Sequence, residues 1–139
     1  MARILVVDDD KVMRLLLRAM LERRGHSVVE AENGDEGLSY YRAAPTDLVI
    51  TDIQMPVMDG LQMIKALRGD FPTAKIIAIS GEKSRLAAAQ TFSQCTFEKP
   101  LYMEAFLDAV QKFASAPGAS IYMMQSTTLA AVHSVPGVA

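Results

Sequence analysis

The chain has 139 residues, half of them hydrophobic and 22% charged, with a formal net charge of -2. That is the profile of one soluble globular domain able to bury a core, without the basic footprint of a nucleic-acid binder. Cys95 is the only cysteine, which excludes an internal disulfide and fits a reducing compartment. The opening apolar run, Ile4-Leu5-Val6-Val7, is too short for a signal peptide's apolar region or a membrane span, so the cytoplasm is the expected location.

Strand and helix signals alternate along the chain. Residues 4–7 form a short, β-branched run suited to a strand buried on both faces. Asp10 can cap a helix over about residues 11–23, where Val12, Leu15, Leu16, Ala19 and Met20 recur at helical spacing and Gly25 suits the exit. Residues 27–30 read as a second strand. Asn33-Gly34 is a turn signal, and the helix after it stops before Pro45. Residues 47–51 form the third strand, and Met55-Pro56-Val57-Met58-Asp59-Gly60 a loop. A helix over about residues 61–68 follows, with Gly69 at its exit. The fourth strand is expected over residues 75–79, a short helix near 86–92 and a fifth strand over 95–98. A last helix over about 102–114 carries Phe106, Leu107, Val110 and Phe113 on its apolar face. Such alternation predicts an α/β fold, a doubly wound parallel sheet with helices on both faces. In sheets of this kind ligands bind beyond the carboxyl ends of the strands.

Polar residues stand where the apolar runs end: Asp8-Asp9-Asp10 after the first, Asp52 after the third, Ser80 after the fourth and Lys99-Pro100 after the fifth. Parallel strands would bring them to one edge. Two carboxylates ~4 Å apart repel by roughly 4 kcal/mol at an effective dielectric near 20, so Asp8, Asp9 and Asp52 together would shift their protonation or recruit a cation. Hard oxygen ligands in a small polar site suit Mg2+. A carboxylate such as Asp52 can carry a phosphoryl group as an acyl phosphate. Transfer of that group needs in-line positioning and charge neutralisation, to which Lys99 and a Ser80 hydrogen bond would contribute. Taken singly these residues also have ordinary readings: Asp10 as a helix cap, Asp52 and Ser80 as turn residues, Lys99 as a surface lysine.

In combination the motifs Ile4-Leu5-Val6-Val7-Asp8-Asp9, Asp52-Ile53-Gln54-Met55-Pro56-Val57-Met58-Asp59-Gly60, Ser80 and Lys99-Pro100 resemble a response-regulator receiver domain of two-component signalling. The likeness covers about residues 2–115, leaving 1–115 as the domain and 116–139 as a tail. It implies a flavodoxin-like sheet of five strands in the order 2-1-3-4-5. It implies Asp52 as phosphoacceptor, with Mg2+ bound by Asp9, Asp52 and the backbone carbonyl of Gln54, and by Asp8 through water. It implies Ser80 and Lys99 as contacts of the phosphoryl group, a cis Lys99-Pro100 bond, and Gln54 and Glu82 at variable positions that tune dephosphorylation. The partners implied are a histidine kinase or histidine phosphotransfer protein and an unnamed downstream protein, with no nucleic acid and no membrane. Such a module catalyses only its own phosphorylation and dephosphorylation. Two departures stand out. Thr96 occupies a position where the family often has an aromatic switch residue, with Phe97 beside it. The segment 81–86 is shortened and no glycine marks the turn into the fifth strand, so the fourth helix is expected to be short, displaced or poorly ordered.

Two other classes share parts of the pattern. A haloacid-dehalogenase-type phosphatase would use Asp8 as nucleophile within Asp8-Asp9-Asp10, and the modified aspartate separates it from a receiver. A flavodoxin-like flavin binder would need hydroxyls and free N–H groups in the first loop, where three aspartates repel a phosphate. From Phe113 to Ala139 there is no Asp, Glu, Lys or Arg. The tail's apolar content leaves open docking on its own domain, disorder, or pairing into a homodimer.

Overall fold

The computed structural model describes residues 1–115; the tail and its suggested role in pairing lie outside the described residues. Ten elements follow one another: β1 (Arg3–Val7), α1 (Lys11–Arg23), β2 (Ser27–Ala31), α2 (Gly34–Ala43), β3 (Leu48–Asp52), α3 (Gly60–Asp70), β4 (Ile76–Ser80), α4 (Lys83–Gln90), β5 (Cys95–Glu98) and α5 (Met103–Ser115). All strand pairs are parallel and the order is β2-β1-β3-β4-β5, as expected.

The period-two alternation of the strands divides the core. Ile4, Val6, Leu48, Ile50, Ile77 and Ile79 meet α1 and α5 through Leu17, Leu21, Phe106, Leu107, Val110 and Phe113. Leu5, Val7, Val49, Ile76 and Ala78 meet α2, α3 and α4 through Leu38, Tyr41, Met63, Ile64, Leu67 and Ala89. Both faces of the central strands are thus covered, which is why their runs are continuously apolar. Among the described residues no helix is long and apolar enough to cross a membrane.

Three expectations shift. Helix α1 buries Arg14, Leu17 and Leu21, while Val12 (74% exposed), Leu15 and Leu16 face outward. The helix carries apolar residues on more than one side, and Leu17 and Leu21, four apart, are the pair that enters the core. Gly69 lies inside α3 rather than at its exit; the helix ends at Asp70, and the Phe71 N–H bonds the Leu67 carbonyl. Helix α4 begins and ends earlier than expected, at Lys83 and Gln90. The turn from it into β5, which has no glycine, is held instead by Arg68. That guanidinium donates to the carbonyls of Pro72 (2.8 Å), Ala74 (2.7 Å) and Phe92 (3.0 Å). Gln94 completes the corner: its side-chain oxygen accepts the Ile76 N–H at 2.7 Å.

Candidate functional site

The carboxyl edge of the sheet collects the polar strand ends. Asp8 follows β1 and is held from several sides. Its N–H donates to the Ala31 carbonyl (3.1 Å), its carbonyl accepts from Arg14 (2.6 Å), and its carboxylate accepts the Asp10 N–H (2.9 Å). Asp10 in turn caps α1, accepting from the N–H groups of Val12 and Met13. Asp52 closes β3 beside β1, with Thr51 paired to Val7. Asp8 and Asp52 are buried and Asp9 is exposed, and each offers a carboxylate oxygen within 4.8 Å of the other two.

Lys99 reaches this cluster from the end of β5. Its Nζ lies 3.2 Å from Asp52 Oδ2 and 3.7 Å from Asp8 Oδ2. The Lys99-Pro100 bond is cis, and the Lys99 N–H donates to the Ser80 carbonyl, tying β5 to the end of β4. Burial works against the Lys99 ammonium, but Asp8 and Asp52 outweigh it and hold the group above the usual lysine range. Burial pushes the Asp8 carboxyl up to about 6, with Asp52 and Asp9 adding to the rise while the Asp10 N–H and Lys99 oppose it.

Ser80 is fully buried at the end of β4, one residue past Ile79, which pairs with Asp52. Its Oγ accepts the Glu82 N–H at 3.0 Å. Gln54 follows Asp52 and donates its N–H to Asp52 Oδ1 at 3.4 Å. Its side chain spans to Glu82 (3.0 Å), and Glu82 also holds Arg85 (3.2 Å), so the loops after β3 and β4 are linked above the cluster. Beneath Asp52 the chain turns through Val57, at φ 70, into the capping box of Asp59 and Gln62. Gly60 starts α3 against the Asp52 backbone, where any Cβ would run into the Asp52 carbonyl.

The structure therefore gathers Asp8, Asp9, Asp52 and Lys99 directly, with Ser80 and Gln54 at the adjoining strand ends. Thr96 lies on β5 between Cys95 and Phe97, which pack on the α1–α5 side of the sheet. Phe97 stands edge-on to Phe106, their ring centroids 5.5 Å apart. Sequence reasoning missed Arg14, a buried guanidinium under the acidic loop. Local periodicity gave no signal, because its partners lie outside its helix, at the Asp8 carbonyl and on β2.

A family model described as the response regulator receiver domain matches residues 4–111. The chain belongs to that family. The receiver is 37% identical over 114 residues to chemotaxis protein CheY of Bacillus subtilis, spanning 79% of this chain and 95% of that protein. It is 44% identical over 79 residues to protein PilH of Pseudomonas aeruginosa, a match covering 57% of this chain and 65% of PilH. Among solved structures, response regulator TrrA of Thermotoga maritima, in complex with Mg(2+)-BeF, is similar at a TM-score of 0.77 and 32% identity. That likeness covers 81% of this chain and 99% of the other. Receiver domains are signalling modules rather than classical enzymes; they take phosphoryl groups from histidine kinases and bind Mg2+ at an aspartate cluster. Family membership sets aside the phosphatase and flavin readings. The donor set of this receiver, three carboxylates and nothing softer, fits such a hard cation.

Proposed function

We propose that this receiver is a phosphoacceptor switch in which Asp52 takes a phosphoryl group from a histidine kinase or a histidine phosphotransfer protein. The observation that carries this reading is the Lys99 ammonium, 3.2 Å from Asp52 and 3.7 Å from Asp8 at the edge of a three-carboxylate cluster. Asp8, Asp9, Asp52 and the Gln54 backbone carbonyl are the groups that would hold Mg2+. Bound there, the ion would neutralise charge on the phosphoryl oxygens. An Asp52 carboxylate oxygen attacks the phosphorus of the donor phosphoimidazole. The new P–O bond forms as the P–N bond breaks, and the leaving nitrogen keeps the electron pair. Lys99 stays with the acceptor and balances the added negative charge. The Ser80 hydroxyl donates to a phosphoryl oxygen, and because its Oγ also holds the Glu82 N–H, that movement is passed to the loop before α4. A downstream protein reads the altered surface.

The test is phosphorylation by acetyl phosphate with Mg2+, followed by mass mapping of the modified peptide. One phosphoryl group on Asp52, absent from a folded Asp52→Asn variant and absent without Mg2+, is the expected result. Label on Asp8, or undiminished labelling of the variant, overturns the assignment.

A further inference from the structure

Arg14 is the one buried arginine among the described residues, and the phosphoryl chemistry does not use it. It sits in the first turn of α1 with its side chain 8% exposed. A hydrophobic side chain of similar volume at such a place is commonly neutral or stabilising, so a buried guanidinium calls for a reason. Its fork spans two elements. Nη1 donates to the Asp8 carbonyl at 2.6 Å, Nε donates to Glu30 on β2 at 3.2 Å, and Nη2 lies 3.8 Å from Glu32. Glu30 is shared with Arg18 from the next turn of α1, and these pairs hold its carboxyl below the usual range, Arg18 first and Arg14 with it.

The contact to Asp8 matters most. The peptide between Asp8 and Asp9 carries one ligand-bearing side chain at each end, and its carbonyl is the atom that Arg14 holds. The Asp8 N–H is fixed on Ala31 and the following turn is fixed by the Asp10 N–H on the Asp8 carboxylate. Arg14 adds a third constraint, on the carbonyl of this peptide, from a cation that is itself anchored on β2 through Glu30. We propose that Arg14 is a positioning residue for the divalent cation: by holding the Asp8 carbonyl it aims the Asp8 and Asp9 carboxylates at a common point. This rests on the reading that the cluster binds Mg2+.

Outer groups of this kind typically change metal affinity by about 10–100-fold when removed. The experiment is calorimetric titration of MgCl2 into wild type, Arg14→Met and Arg14→Lys, with far-UV circular dichroism and metal-free melting recorded on each. Methionine keeps the apolar stem and loses every donor. Lysine keeps a charged donor for the Asp8 carbonyl but loses the rigid planar fork that spans that carbonyl and Glu30. The expected order of affinity is wild type, then lysine, then methionine, with methionine at least about tenfold weaker than wild type. A folded methionine variant that binds within about twofold of wild type overturns the proposal, as does equal weakening in both variants, since loss of fold stability alone would give that. If the methionine variant does not fold, the lysine variant decides: severalfold weaker binding with an unchanged spectrum supports the role, and wild-type affinity overturns it. A wild-type chain that takes up no Mg2+ refutes the underlying reading of the cluster instead.

Discussion

At the scale of single residues, the site is built against its own stability. Asp8 is 2% exposed and shares its surroundings with two further carboxylates, and a single ammonium does not cancel three charges. In the metal-free protein at neutral pH the ionised Asp8 opposes folding. Asp8→Asn keeps the acceptor for the Asp10 N–H and removes the charge. It is expected to raise metal-free stability by on the order of 1–3 kcal/mol while weakening Mg2+ binding. Urea unfolding with and without Mg2+ checks both halves: the variant should be the more stable protein in chelator and should gain less than wild type from added Mg2+. These carboxylates were legible in the sequence because each ends an apolar run, and parallel strands must bring such ends together. Arg14 was not legible. Its significance lies in a carbonyl six residues earlier and a carboxylate sixteen residues later, and no local pattern ties the three.

At the scale of elements, hydrophobic period served the strands and α5 well and misjudged α1. All of the apolar face expected for α5 is buried, because that helix has one apolar stripe. Helix α1 has more than one, and only the packed fold decides between them, leaving Val12, Leu15 and Leu16 outside. The turn from α4 into β5 teaches the same lesson. A missing glycine predicted an altered connection, and the replacement is a long-range one, Arg68 reaching from α3 to carbonyls on both sides of β4. Removing it leaves those acceptors short of donors. Arg68→Met is expected to cost about 2–3 kcal/mol, read from the urea midpoint. Amide exchange should speed up first at Ile76 and Gln94. Uniform acceleration over the whole sheet would argue against a local brace.

At the scale of the whole molecule the two edges of the sheet have separate duties. The carboxyl edge carries the charged cluster. At the amino edge, buried His26 accepts the Ala2 N–H on Nδ1 at 3.1 Å, joining the turn after α1 to the start of the chain. Burial, then the chain's amino terminus and Arg24, lower the His26 pKa. The folded state therefore prefers the neutral ring. The stability this contributes is complete above the unfolded value near 6.5 and is lost as the pH falls from there through the lower folded value. His26→Gln should flatten the decline in melting temperature below about pH 6.5. An unchanged acid limb would show that other groups govern it. The order and direction of all five strands followed from the alternation and the resemblance together, whereas this link between distant backbone and ring did not.

The close seating of Gly60 on the Asp52 carbonyl has a mechanical corollary. With no room for even a methyl group there, the strand that ends in Asp52 is seated directly on the first turn of a capped helix. On the phosphorylation proposed above, displacement is expected at Ser80, Lys99 and the short helix beside them rather than along α3. The flank expected to yield is thereby chosen by a backbone contact on the flank expected to stay.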